Sequence, residues 1–272
     1  MIERRDGPQG ILAVEDGRFA DILHSTCRDW IAGAGHLPVM LSGMIGSRQG
    51  WIEAPYVAGP AGPAELAAAL MPVTVEGFGP VRLVPGILVR SDGVPDVMRG
   101  EECQILGALA AMGRSAGTFV LPGTHSKHAV AAGGAITSFR TFMTGEVFAA
   151  LRHHTILGRM MAGSGDGSGF DRGVDAAAER PLLHAVFGAR TLRLMDELAE
   201  SEAADYLSGL LIASELTSLP ADAPPVLIGA DDLVARYRRA AGRLGRVVEA
   251  APADCVATGH LALARQAGLL AV

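Results

Sequence analysis

Apolar side chains at Phe19, Ile22, Leu23, Cys27, Trp30 and Ile31 recur every three or four residues, the spacing of one helix face. Gly33 to Gly35 supply a stop. The pattern then changes. Leu37–Leu41 is a continuous apolar run, read as a buried strand, and it feeds a glycine-punctuated segment, SGMIGSRQGWIEAPY. After the loop Pro60-Ala-Gly-Pro63 and a short helix at 64–70, residues 81–89 read as strand interrupted at Pro85-Gly86. Asp92 to Arg99 reads as a polar connection. Helical spacing returns at 101–112, where Ile105, Leu106, Leu109 and Met112 share one side.

Three strands are then predicted in quick succession, over 118–121, near 128–132 and over 136–142. Gly133-Gly134 separates the last two and suits a two-residue hairpin turn, which needs positive φ at both central positions. Thr144 is a candidate N-cap for a helix starting at Gly145. The pattern stays helical to 219 except at GSGDGSGFDRG, residues 163–173. Pro225–Ile228 reads as a short buried strand. Gly229-Ala230 follows it, and Asp231-Asp232 opens a helix with arginines in its later turns, an order that suits the helix dipole. A strand at 247–250 and a helix at 257–268 close the chain. Both halves mix strands and helices, which predicts an α/β protein with a boundary near 114–117.

Composition narrows the function. The chain has 272 residues, enough for one large domain or two smaller ones. Its net charge of −6 argues against a general nucleic-acid binder. No apolar run approaches the ~18 residues of a spanning helix, and the charged start MIERRDG is unlike a signal peptide. Neither nucleic acid nor membrane is expected as a partner. Cys27, Cys103 and Cys255 are far apart and form no C-x-x-C, so neither disulfides nor a zinc cluster is expected, and a reducing cytoplasm is. The basic run at 236–246 reads as a solvated helix face.

Two familiar motifs fail on context. Gly113-Arg-Ser115-Ala-Gly117 matches the serine-hydrolase pattern G-x-S-x-G, which needs a strand before it and a helix after it; here the order is reversed. GSGDGSG fits neither common phosphate-loop pattern, and no lysine follows it, so a mobile loop is expected. His153-His154 has no third ligand at metal spacing. The turn in LPGTHSKHAV, residues 121–130, is different. Backbone N–H groups in a tight turn make a small anion site. Thr124 and Ser126 add hydroxyl donors, and Lys127 adds a point charge. Upstream, Glu101 and Glu102 head the preceding helix, where acids are favoured in any case.

SGMIGSRQGWIEAPYV (42–57), PDVMRGEECQ (95–104) and VLPGTHSKHAVAAGGAITSFRTFMTGEVFAAL (120–151) resemble the 2-dehydro-3-deoxygalactonokinases, sugar-acid kinases of the actin-like ATPase superfamily. GTHSK and FRTFMTGE are the most specific parts, and the likeness is weakest over 173–220. The resemblance implies two actin-like (ribonuclease H-like) lobes with a cleft between them. Residues 1–115 would hold the sugar acid and the catalytic base; 116–272 would hold the phosphate hairpin and adenosine, the last helix being free to pack back on the first lobe. It implies ATP-dependent phosphorylation of 2-dehydro-3-deoxy-D-galactonate to its 6-phosphate, with Mg²⁺, in galactonate or galactose catabolism. By the same resemblance Gly123, Thr124, Ser126 and Lys127 cradle phosphates, and Gly229 and Ala230 sit by adenosine. Arg48 and Gln49 face the sugar acid, where an arginine fork suits a carboxylate, and Trp51 walls the pocket. The base is Glu101, with Asp96 second. The family begins with a strand, an Asp-x-Gly-Thr-Thr turn and a second strand. This chain starts at what looks like the stretch just after that hairpin, so the first lobe is expected to be N-terminally incomplete. A non-catalytic sugar-acid or nucleotide-binding relative is the alternative, and a homodimer is left open.

Overall fold

The computed structural model describes residues 3–7, 10–32, 37–163, 165, 167–220 and 224–270. Expectations for Met1-Ile2, for Gly33 to Gly35 and for Ser164 and Asp166 of the glycine-rich loop lie outside the described residues. The elements are α1 (Phe19–Ala32), β1 (Val39–Leu41), β2 (Val57–Ala58), α2 (Pro63–Ala68), β3 (Met71–Val73), β4 (Val81–Leu83), β5 (Ile87–Ser91), β6 (Val94–Met98) and α3 (Glu101–Ala111). Then come β7 (Gly117–Leu121), β8 (Ser126–Ala132), β9 (Ala135–Phe142), α4 (Thr144–His154), α5 (Ser168–Glu179), α6 (Leu182–Leu194) and α7 (Ala203–Leu216). The chain closes with β10 (Val226–Leu227), α8 (Asp231–Arg243), β11 (Glu249–Ala250) and α9 (Cys255–Gln266).

The chain divides into two compact units: Met1–Gly117 with Val130–Phe139 and Pro252–Val272, and Thr118–Ala129 with Arg140–Ala251. The first holds two three-stranded sheets, ordered β1-β4-β3 and β2-β5-β6. The run at 81–89 is therefore two strands in two sheets, split by Pro85-Gly86 as the pattern suggested. Asp92 to Arg99 departs from expectation. It is strand β6, paired antiparallel with β5 from Ser91↔Val94 to Ile87↔Met98. The turn between them is Asp92-Gly93, at φ 51° and 82°, an Asp-Gly hairpin signal. Helices α3 and α9 pack so closely that a methyl group on Gly107 would lie 1.8 Å from the Cys255 carbonyl oxygen, and one on Gly259 2.0 Å from that of Cys103.

Of the five-stranded sheet β11-β10-β7-β8-β9, the second unit holds β10, β11, nearly all of β7, the start of β8 and the end of β9, and β7, β10 and β11 run parallel. The tips of β8 and β9 turn at Gly133-Gly134, with φ 60° and 81°, as the hairpin reading required. Its core joins Val120 and Leu227 of the sheet to Phe170 and Val174 of α5, Ile212 and Leu216 of α7 and Tyr237 of α8. Helices α5 and α7 repeat the glycine contact: a methyl on Gly173 would lie 2.0 Å from Tyr206 O, and one on Gly209 2.1 Å from Phe170 O. The basic run proves to be more than a solvated face. Arg236, Arg239 and Arg243 pair with Asp205, Asp171 and Asp175 at 2.9, 2.8 and 2.6 Å, fastening α8 to α7 and α5.

Candidate functional site

Strand β7 carries Phe119, Val120 and Leu121 into the core and then releases the chain at Pro122. The turn that follows is seated on the N-terminus of α4. Glu146 N–H donates to Thr124 O at 3.0 Å, and the Glu146 carboxylate pairs with His125. Gly145 is what allows this seating, because a methyl there would lie 2.5 Å from Gly123 O and 2.8 Å from Thr124 Cα. Thr144 does not cap the helix as expected. It lies inside α4, no side chain caps the helix, and its hydroxyl donates instead to Glu215.

Beside β7, strand β10 ends in step. Ile228 N–H donates to Val120 O at 2.9 Å, and Gly229 passes close to Pro122. Both Gly123-Thr124 and Gly229-Ala230 thus leave the carboxyl ends of adjacent parallel strands, where open α/β sheets bind ligands. A cavity of about 660 Å³ opens there, within the usual range for a small-molecule site. Gly123, Thr124, Gly145 and Ala230 line it, with Phe148, Leu211 and Leu233 as apolar wall. Arg236 reaches across it, donating to Asp205 Oδ1 at 2.9 Å and Ser208 Oγ at 3.2 Å. The helix N-terminus and an apolar wall suit an anionic ligand with a flat apolar part.

Ser126 and Lys127 point elsewhere. Both are buried; Ser126 donates to Glu215 at 2.6 Å and Lys127 Nζ to Thr141 Oγ1 at 2.6 Å. The glycine-rich loop before α5 is already filled by a carboxylate. Glu202, itself buried, accepts from the N–H of Gly169 and from Ser168 Oγ at 3.3 Å. Ser115 is exposed in the α3–β7 loop, with helix before and strand after, so the hydrolase context is absent. His153 and His154 are exposed at the end of α4.

In the first unit the segment carrying Arg48 meets the head of α3. Gly100, at φ 108°, has no room for a side chain because Gly43 Cα would lie 3.0 Å away. Arg48 is exposed, with Glu53 at 3.4 Å, and Gln49 is exposed beside it. Trp51 stacks on Phe19, ring centroids 6.1 Å apart. Glu101 is half-buried and accepts from Arg99 N–H at 2.9 Å. Glu102 is fully buried, accepts from Gly100 N–H at 2.7 Å, and burial pushes its carboxyl up to about 7. Asp96 is half-buried in mid-strand, its Oδ1 accepting from Val97 N–H at 2.8 Å. A second cavity of about 600 Å³ between α1 and the Ser42–Ile45 segment is lined mostly by apolar residues and brings no charged group together.

Sequence reasoning missed Glu215, Asp205 and Arg236. Glu215 and Asp205 lie in a helix where a single polar residue carries no local signal, and Arg236 stood out only as part of the basic run read as a solvated face. Among the described residues no helix is long and apolar enough to cross a membrane.

The same α/β fold is known from experiment. A crystal structure from Sinorhizobium meliloti, named as a candidate 2-dehydro-3-deoxygalactonokinase, superposes with a TM-score of 0.87 at 34% identity, covering 97% of this chain and 91% of that one. The chain belongs to the 2-keto-3-deoxy-galactonokinase family, whose sequence profile matches residues 1–263. It is 37% identical over 246 residues to the Rhizobium meliloti (strain 1021) protein named "Probable 2-dehydro-3-deoxygalactonokinase DgoK1", covering 86% of this chain and 80% of the relative. It is 32% identical over 262 residues to the 2-dehydro-3-deoxygalactonokinase of Escherichia coli (strain K12), covering 93% and 86%.

Proposed function

We propose that this chain transfers the terminal phosphoryl group of ATP to the terminal hydroxyl of 2-dehydro-3-deoxy-D-galactonate, giving the 6-phosphate. The observation that carries this reading, beside family membership, is the cavity at the ends of β7 and β10 with its turn seated on α4. The two compact units correspond in this reading to the two actin-like lobes of the superfamily, the first holding the sugar acid and the second ATP. Three free cysteines fit a reducing cytoplasm.

Phosphoryl transfer asks a protein mainly for positioning and charge neutralisation. Gly123 and Thr124 offer backbone N–H groups and an exposed hydroxyl to the phosphates, and the N-terminus of α4 adds its partial positive charge. Ser126 braces the turn from behind rather than touching phosphate. Lys127 supplies positive potential from beneath the strand. Gly229 and Ala230 admit the adenosine close to the backbone, between Phe148 and Leu233. Arg48 and Gln49 take the substrate carboxylate, and Trp51 stiffens their loop through Phe19. Glu101 accepts the hydroxyl proton as it leaves, being half-exposed, whereas Glu102 is enclosed; Asp96 is second. Among the described residues no group of three or more His, Cys, Asp or Glu could hold a metal ion. Mg²⁺ would neutralise phosphate charge, held by the ATP phosphates and water with at most one or two carboxylates, as that ion commonly is.

The test is ADP release with ATP, Mg²⁺ and 2-dehydro-3-deoxygalactonate, against controls lacking the sugar acid. Release that depends on the sugar acid supports the kinase. A folded protein that binds ADP but releases none would make it a non-catalytic relative.

A further inference from the structure

Behind the phosphate turn lies a carboxylate that no motif marks. Glu215, in the last turn of α7, is 3% exposed. Both of its oxygens are occupied. Oε1 accepts from Ser126 Oγ at 2.6 Å and from His128 Nε2 at 2.8 Å. Oε2 accepts from Tyr237 Oη at 2.6 Å and from Thr144 Oγ1. His128 Nδ1 has no hydrogen-bond partner among the described residues. With a carboxylate oxygen facing Nε2, that nitrogen carries the proton.

Burying an acid is costly unless its lone pairs are satisfied, and here four donors satisfy them. An apolar side chain could hold the same elements together without that cost. What a carboxylate adds is direction: each donor is fixed at one angle and one distance. The donors also have a common address. Ser126 directly follows the turn, Thr144 and Tyr237 line the cavity, and Thr144 opens the helix on which the turn sits. One acid thus ties the start of β8, the start of α4 and the middle of α8 to α7.

We infer that Glu215 is a positioning residue for phosphoryl transfer, holding the 122–125 turn on the N-terminus of α4 at the spacing a polyphosphate requires. The inference rests on the reading of this cavity as the nucleotide site. It touches neither substrate nor phosphate and acts through Ser126 and Thr144.

The test compares ADP with adenosine as calorimetric probes of the wild-type chain and of Glu215→Gln. The variant keeps the size but turns an amide N–H₂ toward two donors. Expected is a loss of about tenfold in ADP affinity with adenosine affinity unchanged, a matching rise in the KM for ATP, and an unchanged KM for the sugar acid. A variant with a lower unfolding temperature but wild-type affinities for both probes would reduce Glu215 to a structural residue and overturn the inference. So would equal loss of both probes. Wild-type protein that binds neither probe would overturn the nucleotide-site reading itself, and this inference with it. If Glu215→Gln does not fold, His128→Ala and His128→Gln replace it. The first should weaken ADP selectively, and the second, whose amide N–H reaches the same oxygen, should restore it; no selective loss in His128→Ala overturns the proposal.

Discussion

Gly145 stands where α4 meets the turn, and helix physics alone would prefer alanine there by about 1 kcal/mol. The contact points the other way, since the added methyl would lie 2.5 Å from Gly123 O. Gly145→Ala should therefore raise the KM for ATP by about tenfold while leaving that for the sugar acid alone; steady-state kinetics in both substrates decide it, and an unchanged ATP KM would show that the turn yields freely. Arg48 offers the converse. Its side chain is 86% exposed and its ion pair with Glu53 is long, so Arg48→Ala should leave stability within about 0.5 kcal/mol and raise the sugar-acid KM. An unaltered KM would remove it from the site. Glu102 makes a pH prediction. Its folded carboxyl titrates at about 7 rather than 4.5 because burial penalises the charge. Between those values the folded chain holds a proton that the unfolded chain has lost, so this group's contribution to stability falls as pH rises through the window and stays low above it. Glu102→Gln should thus gain on the wild type from pH 4.5 to 7, by up to about 3 kcal/mol, as read from urea midpoints; equal differences at pH 5 and pH 8 would contradict it. His260, lowered to about 4 by burial, works in the opposite sense below 6.5, so the wild-type profile alone would mask both.

At the scale of elements, the reciprocal glycines of α5 and α7 set the helix spacing. Gly209→Ala would push a methyl to within 2.1 Å of Phe170 O and should cost about 1–3 kcal/mol. Gly242→Ala, in α8 with nothing within 4 Å, should stabilise by about 0.5–1 kcal/mol. Thermal melts of the pair separate close approach from mere flexibility; two changes of the same sign would refute the packing argument. These cases also show what the sequence made legible. Helices α1 and α3 follow from three-and-four spacing, and the β8–β9 hairpin from Gly133-Gly134, because both signals are local. Strand β6 escaped because Pro95 and Asp96 look like loop, and only pairing with β5 makes them strand; Asp92-Gly93 was the available signal. Thr144 resembles an N-cap in sequence, yet a carboxylate more than seventy positions away claims its hydroxyl. Lys127 and Ser126 were legible as polar residues beside a turn, but not as buried ones, since burial depends on what the sheet packs against. Glu215 could not be found at all, because its four donors converge only in the fold.

The molecule as a whole is discontinuous in a particular way. One unit takes the start of the chain, the tips of β8 and β9, and the last residues from Pro252 onward. Its α3 is completed by α9, against which Gly107 and Gly259 are fitted. That arrangement has a consequence for how the protein is made. A ribosome delivers residues at roughly 5–20 per second, so α3 emerges roughly seven to thirty seconds before the helix that covers it. During that interval the Gly107 face of α3 is bare, while the other unit, which ends at Ala251, is made in full before α9 appears. The first part synthesised is then the last to be finished, and nascent chains stalled before residue 255 should be cut by protease first within 1–117 rather than within α5 to α7. Protection of that early segment in such stalled chains would mean that α3 finds another cover while it waits.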